Sequence, residues 1–263
     1  MPKAKPFRID VPDAKIAAIQ DRVKDYPWFP APANEQGFSY GMSTQVMKEM
    51  QRYWLAGYDW REAEADLNRY PSYKADVDGM DIHFIHVVGE AGGRRPLLLT
   101  HGWPGSFYEF WDAIGPLAFP SKHGGNTEDA FDLVIPSLPG YGFSEKPKSP
   151  MGQRATAALW NTLMQDVLGY QTYLAQGGDW GALVTSWIGY DHGTQDDKGG
   201  CKAIHLNMIG LRPTPATPQT QEETDWIGKA QAAMQAQGAY FMEQATKPQT
   251  LAMALMDSPM GTA

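Results

Sequence analysis

The chain has 263 residues, 43% of them hydrophobic, with 22 Lys and Arg against 30 Asp and Glu for a formal net charge of −8. This length buries a sizeable core, and an acidic balance without a basic run excludes nucleic acid or an anionic membrane as evident partners, which favours a small neutral substrate. A single cysteine, Cys201, excludes an internal disulfide framework, and no run of eighteen apolar residues offers a membrane span or a leader, so a soluble, cytoplasmic protein is expected.

In chain order, residues from Phe7 to Tyr70 read as helical and aromatic. Asp10-Val11-Pro12-Asp13 marks a helix start, after which Ile16, Ile19 and Val23 recur at helical spacing. Pro27, Pro30 and Pro32 break that helix. A second is expected after Ser43, carrying Val46, Met47, Met50, Tyr53, Trp54 and Leu55 and ending at Gly57. The segment is too short for a core of its own, so it reads as a belt around the next domain.

Tyr73–Val77 and Ile82–Val88 read as two strands joined at Asp78-Gly79, a hairpin signal. His83 and His86 fall on opposite faces of the second strand, which argues against a shared metal. Pro96–Thr100 is a short continuous apolar run, as expected of a strand buried on both faces; Phe131–Ile135, Tyr173–Ala175 and Ala203–Leu206 are others. Helical stretches lie between them, at Phe107–Leu117, Ala155–Leu168 and Ala182–Tyr190. Strands alternating with helices predict an α/β fold with a mostly parallel sheet, made mixed by the opening hairpin. Cys201, before the last strand, reads as a half-buried small residue. Leu211–Pro218 reads as a stiff connector, and Glu222–Met256 as helical, set above the sheet.

The chemistry concentrates where one strand ends. In Gln176-Gly177-Gly178-Asp179-Trp180-Gly181 an acidic residue is bracketed by glycines at a strand-to-helix turn. A nucleophile on so sharp an elbow needs small residues two positions either side, and Gly177 and Gly181 supply them. An aspartate there attacks an alkyl carbon, as in an epoxide or alkyl halide, to give an ester that water then cleaves at the aspartate carbonyl. The helix from Trp180 is expected to point its free N–H groups at this carboxylate. A glycine-rich loop that merely holds an aspartate is the plainer alternative. His101-Gly102-Trp103-Pro104-Gly105-Ser106 follows the first central strand, where such sites take one oxyanion donor; the expected donors are the Trp103 and Trp180 amides, with His101 ordering the turn. Leu138–Ser144 is a shaped loop at the carboxyl edge of the next strand, a place for aromatic lining.

These motifs resemble the epoxide hydrolases of the α/β-hydrolase superfamily, in particular the microsomal and juvenile-hormone type with its own N-terminal domain. The resemblance runs from Phe7 to the end of the chain. Tyr53–Arg61 resembles the N-terminal domain, His101–Ser106 the oxyanion motif, Gly177–Gly181 the elbow, and Gly238–Thr250 with Asp257–Gly261 the cap. The resemblance implies an α/β-hydrolase fold divided as an N-terminal belt at 1–70, a partial core at 71–210 and the start of a helical cap at 211–263. It also implies an epoxide and water as substrates, with no cofactor and no metal. It places a cap tyrosine at Tyr240, whose phenol would assist ring opening. Gly178, Gly102 and Pro104 complete the elbow and loop support.

The resemblance further implies a second cap tyrosine, an acid and a base histidine, for which no position here matches. His192, thirteen residues past Asp179, would lie roughly 20 Å along a helix axis, too far to serve. His205 is a remote candidate, and His123 lies in a glycine-rich loop. The chain is therefore expected to lack its C-terminal part, to form the ester without turnover, and to expose an apolar edge near Ile204 that invites association with a second copy or another chain. A haloalkane dehalogenase and a non-catalytic binding protein are the alternatives.

Overall fold

The computed structural model describes residues 4–92, 95–195, 198–209 and 217–263. The expected connector falls mostly on residues 210–216, outside the described residues. Two units divide the chain, Met1–Ile9 with Asp66–Leu211, and Asp10–Ala65 with Arg212–Ala263.

A short strand opens the chain, β1 (Ala4–Phe7). Three helices follow: α1 (Asp13–Lys24), α2 (Thr44–Ala56) and α3 (Trp60–Leu67). Ser43 caps α2 by accepting the Val46 amide at 3.5 Å, and Gly57 ends it, as the sequence predicts. The hairpin pairs β2 (Ser72–Val77) with β3 (Met80–Val87). Its turn has φ 51° at Asp78 and 83° at Gly79, two positive values in succession, which is why an Asp-Gly pair stands there.

The parallel half begins with β4 (Pro96–Thr100), followed by a 3₁₀ turn at Phe107–Phe110 that runs into α4 (Trp111–Ala118). Next come β5 (Asp132–Pro136), α5 (Gln153–Thr162), β6 (Thr172–Gly177), α6 (Trp180–Asp191) and β7 (Gly200–Leu206). The single helix expected over Ala155–Leu168 widens after Thr162. The Leu168 amide bonds Leu163 O, five residues back, while Leu163, Met164 and Val167 stay buried. Four helices close the chain: α7 (Gln221–Gln237), α8 (Ala239–Thr246), α9 (Pro248–Asp257) and α10 (Pro259–Thr262). No helix among the described residues is long and apolar enough to cross a membrane.

The seven described strands form one sheet in the order β1-β2-β3-β5-β4-β6-β7. Pairings from β1 through β5 are antiparallel, and those from β5 through β7 are parallel. The mixed sheet matches the expectation, except that β1 is not announced in the sequence. From β4 the chain passes to β5 on one side and then to β6 on the other. This reversal opens a crevice at the carboxyl ends of the strands, the place where open α/β sheets bind ligands. The core beneath joins Leu98, Val134, Trp160, Leu163, Tyr173 and Ile188. Each contributes roughly 1.5–3 kcal/mol on burial. Cys201 is fully part of this core at 3% exposure, more deeply buried than its glycine neighbours suggest.

Both strand histidines are buried and hydrogen-bonded. His83 meets Ser72 Oγ at 2.7 Å and Ser137 Oγ at 2.8 Å, and His86 meets the Tyr170 hydroxyl at 2.9 Å. Burial drives the His83 pKa down to about 3. An unfolded histidine takes up its proton near pH 6.5, so the stability held by the neutral ring is complete above that pH and is lost as pH falls towards about 3. Urea midpoints measured from pH 7 to pH 4 should fall, with His83 contributing up to about 1.4 kcal/mol per pH unit. His83→Gln should flatten that slope; an unchanged slope would contradict the assignment.

Candidate active site

Asp179 joins β6 to α6 with φ 51° and ψ −125°, a conformation that costs an ordinary side chain about 1–3 kcal/mol and persists only when its surroundings enforce it. Two close approaches do so. A Cβ on Gly177 would overlap the Gly181 carbonyl, and one on Gly181 would overlap the Thr100 carbonyl at the end of β4. With any larger residue the helix could not descend this close to the sheet. Gly178 is crowded in turn by the Asn207 side chain, whose Oδ1 would lie 2.5 Å from a Cβ.

The Asp179 carboxylate is exposed, and the Trp103 amide donates to its Oδ1 at 2.8 Å. Sequence reasoning expects the first amides of α6 to hold this carboxylate, yet Asp179 makes no side-chain capping bond. Its backbone carbonyl takes the Ala182 amide instead. The positive φ supplies the reason, since it turns the side chain away from its own helix and towards the turn after β4. Trp180 is the first residue of α6, so its amide has no intrahelical acceptor, and among the described residues it forms no hydrogen bond to Asp179. One oxygen of the nucleophile is thus held and the other is left open. If the free Oδ2 attacks, Oδ1 becomes the ester carbonyl oxygen, already on the donor that its later negative charge requires.

His101 ties the turn after β4 to the loop after β5. Its Nδ1 bonds the Gly102 carbonyl at 3.0 Å, and its Nε2 accepts the Leu138 amide at 3.1 Å. One nitrogen must donate and the other accept, so the ring is neutral, in line with a pKa lowered by burial. Gly102 lies directly against the nucleophile, where a Cβ would press on the Asp179 carboxylate. Pro104 is exposed and follows a cis Trp103–Pro104 bond. On the loop after β5, Tyr141 stands edge-on to His101 at 5.5 Å. Burial first, and the Asp179 charge second, push its phenol pKa up.

Glu109 also senses Asp179, and nothing in the sequence singles it out. Its pKa is raised by burial and by the Asp179 charge, against a backbone hydrogen bond of Gly102 that lowers it. Eight residues beyond His101, its place becomes visible only once the Phe107–Phe110 turn is folded back. The same holds for Asn207.

Tyr240 lies on α8 in the second unit and is 56% exposed. That unit also holds a cavity of about 630 Å³ lined by Trp28, Thr44, Lys48 and neighbours, which contains none of the expected site residues. Among the described residues none of the six histidines is bonded to Asp179. His83 and His86 are taken up by Ser72, Ser137 and Tyr170, and His192 caps the far end of α6. His205 pairs with Gln176 along β7, where Ile204 is 40% exposed.

Residues 4–110 match the family model described as epoxide hydrolase N terminus, and residues 95–254 match the alpha/beta hydrolase fold model. Among curated proteins, a putative epoxide hydrolase of Stigmatella aurantiaca is 41% identical over 98% of this chain and 58% of its own length. Epoxide hydrolase 1 of Sus scrofa is 34% identical over 98% of this chain and 60% of its own. The crystal structure of juvenile hormone epoxide hydrolase from the silkworm Bombyx mori superposes with a TM-score of 0.84 at 32% identity, covering 98% of this chain and 63% of that one. The chain thus spans about 60% of the length of the relatives it matches.

Proposed function

This chain belongs to the α/β-hydrolase fold family, in its epoxide hydrolase branch, and from that premise we propose that it opens a small apolar epoxide by forming an alkyl ester on Asp179. The observation that carries the reading is an exposed carboxylate on a strained elbow, with Oδ1 held by the Trp103 amide and Oδ2 open to attack.

In the first step a bond forms between Asp179 Oδ2 and an epoxide carbon as the carbon–oxygen bond of the ring breaks. The alkoxide so released needs a proton. Tyr240 is the assigned donor, on its place in the cap resemblance, since a phenol can give a hydrogen bond or a proton to an alkoxide. In the second step water adds to the Asp179 carbonyl carbon, and the negative charge gathers on Oδ1, opposite the Trp103 amide. The Trp180 amide is assigned as the second donor, since it heads α6 next to the nucleophile, where no intrahelical acceptor exists. Cleavage of the ester carbon–oxygen bond returns the carboxylate and releases a vicinal diol; of the two water protons, one goes to the new hydroxyl and the other restores the Tyr240 phenol. The chemistry draws on a carboxylate, hydrogen-bond donors and water, and asks for no cofactor or metal.

Ester formation uses only groups on this chain. Among the described residues none of the six histidines is bonded to Asp179, so the ester is expected to accumulate. The cytoplasm is the proposed setting, in keeping with a lone buried thiol, Cys201, whose pKa burial pushes up to about 11.

Exposing the protein to styrene oxide and, separately, to 1-chlorohexane tests the substrate class. The epoxide should add its full mass to the chain without loss of any group, while the chloride should release no halide. Halide release with no epoxide adduct would move the assignment to a dehalogenase; inertness towards both would move it to a binding protein. Within the epoxide reading, Tyr240→Phe should slow ester formation roughly 100-fold, the low end of general-acid effects. A rate equal to that of the unaltered chain would remove Tyr240 from the mechanism.

A further inference from the structure

The turn that holds the nucleophile is itself held from behind. One peptide unit is bonded at both ends: its Trp103 N–H donates to Asp179 Oδ1 at 2.8 Å, and its Gly102 carbonyl meets His101 Nδ1 at 3.0 Å. His101 Nε2 accepts the Leu138 amide at 3.1 Å, and the hydroxyl of the preceding residue, Ser137, lies 2.8 Å from His83 Nδ1. A path of hydrogen bonds and short backbone links thus runs from a ring on β3 to the carboxylate, and His83, Ser137 and His101 are fully buried along it. His83 also pins both ends of the loop after β5. Its carbonyl accepts the Ser137 amide at 2.9 Å, its own amide donates to Ser144 Oγ at 3.0 Å, and Ser144 Oγ donates to the Ser137 carbonyl at 2.7 Å. The ring is boxed by Phe7, Phe107 and Phe143, with centroids at 5.3, 5.2 and 5.3 Å. Phe107 belongs to the segment that continues the Trp103 turn, and Phe143 to the loop.

We propose that His83 is a positioning residue of this site: its ring fixes the Ser137–Ser144 loop, and through Leu138 and His101 that loop sets the Gly102–Trp103 peptide whose N–H meets Asp179. Its bearing on catalysis rests on Asp179 being the nucleophile. A hydrogen bond accepted at the carbonyl end of a peptide polarises its N–H, so His101 both aims and strengthens the donor assigned to the developing oxyanion. His101 can do so only with its proton on Nδ1, and the Leu138 amide at Nε2 enforces that tautomer. Leu138 is placed by Ser137, and Ser137 by His83. The two hydroxyls on the His83 ring therefore have different tasks. Ser137 belongs to the path, whereas Ser72 meets Nε2 at 2.7 Å from β2, a strand that carries none of the site residues.

That difference supplies the test. Amide NMR, a thermal melt and the time course of ester formation are read on the 263-residue chain and on Ser137→Ala, Ser72→Ala, His83→Asn and His83→Gln. Both serine variants should melt lower. Only Ser137→Ala should shift the Leu138 and Trp103 amide resonances and slow ester formation roughly 5-fold, the worth of one ordinary hydrogen bond, at an unchanged half-saturating epoxide concentration. An asparagine amide falls where Nδ1 stands and a glutamine amide where Nε2 stands, so His83→Asn should keep the Trp103 resonance in place and His83→Gln should move it. Equal Trp103 shifts in the two serine variants, or none in either, would overturn the inference and leave His83 a purely structural residue. A glutamine that preserves that resonance better than asparagine would overturn it too. The resonances need no substrate. Trp103 shifts as expected without any epoxide adduct would defeat only the functional reading, and an adduct formed alike by all variants over an unmoved Trp103 only this inference.

Discussion

Asp179→Asn should abolish ester formation, lowering the rate of epoxide capture by at least about 10⁴-fold, on the scale of losses seen when an activated nucleophile is removed. The variant is chosen to leave the rest of the site in place. Asparagine is among the residues that best tolerate a positive φ, and its amide oxygen can still accept the Trp103 N–H that now bonds Oδ1. A time course of intact mass, run beside a thermal melt, separates lost chemistry from lost fold. Capture at an undiminished rate in a folded Asp179→Asn protein would show that the epoxide reacts elsewhere.

Gly181→Ala carries the second large effect, and it acts through the backbone. The added methyl would overlap the Thr100 carbonyl, and the three atoms nearest to it all belong to the backbone, which cannot yield as a flexible side chain would. The expected cost is about 3 kcal/mol, at the upper end for overpacking, and the melting temperature should drop by several degrees. Ester formation should fall with it, because the overlap is relieved by opening the elbow that presents Asp179. Gly228→Ala is the control. Gly228 lies inside α7 with no atom within 4 Å of an added Cβ, so the same substitution there should gain up to about 1 kcal/mol of helix propensity. Equal behaviour of the two variants would contradict the steric account.

The elbow is legible in the sequence because its requirement is steric and local. Glycines two residues either side of a nucleophile are what a strand-to-helix turn of this sharpness needs, and the overlaps at Gly177 and Gly181 are that requirement in atomic form. The central strands are legible for a related reason: a strand covered on both faces reads as a continuous apolar run, as Leu133 to Pro136 of the buried β5 do. The Asp78-Gly79 hairpin and the Ser43 cap carry their own signals. β1 carries none. Four residues with a proline are no strand signal by themselves, and a proline is tolerated there because β1 is an edge strand of the described sheet. The carboxylate's direction is also invisible. Sequence logic offers it both to the amides of α6 and to Trp103, and only the structure shows that Trp103 takes it. Tyr141 stands on the Leu138–Ser144 loop that the sequence marks for aromatic lining, whereas Glu109 and Asn207 reach the site through contacts distant in sequence, set by how the loops fold back, and no spacing rule encodes those.

Whether one particular carboxylate becomes an ester is decided by peptide mapping with tandem mass spectrometry after incubation with styrene oxide. The full mass of the epoxide should appear on the peptide containing Asp179, fragmentation placing it on that side chain. Label carried instead by Glu109 or another acid, or no label on a folded protein, would contradict it.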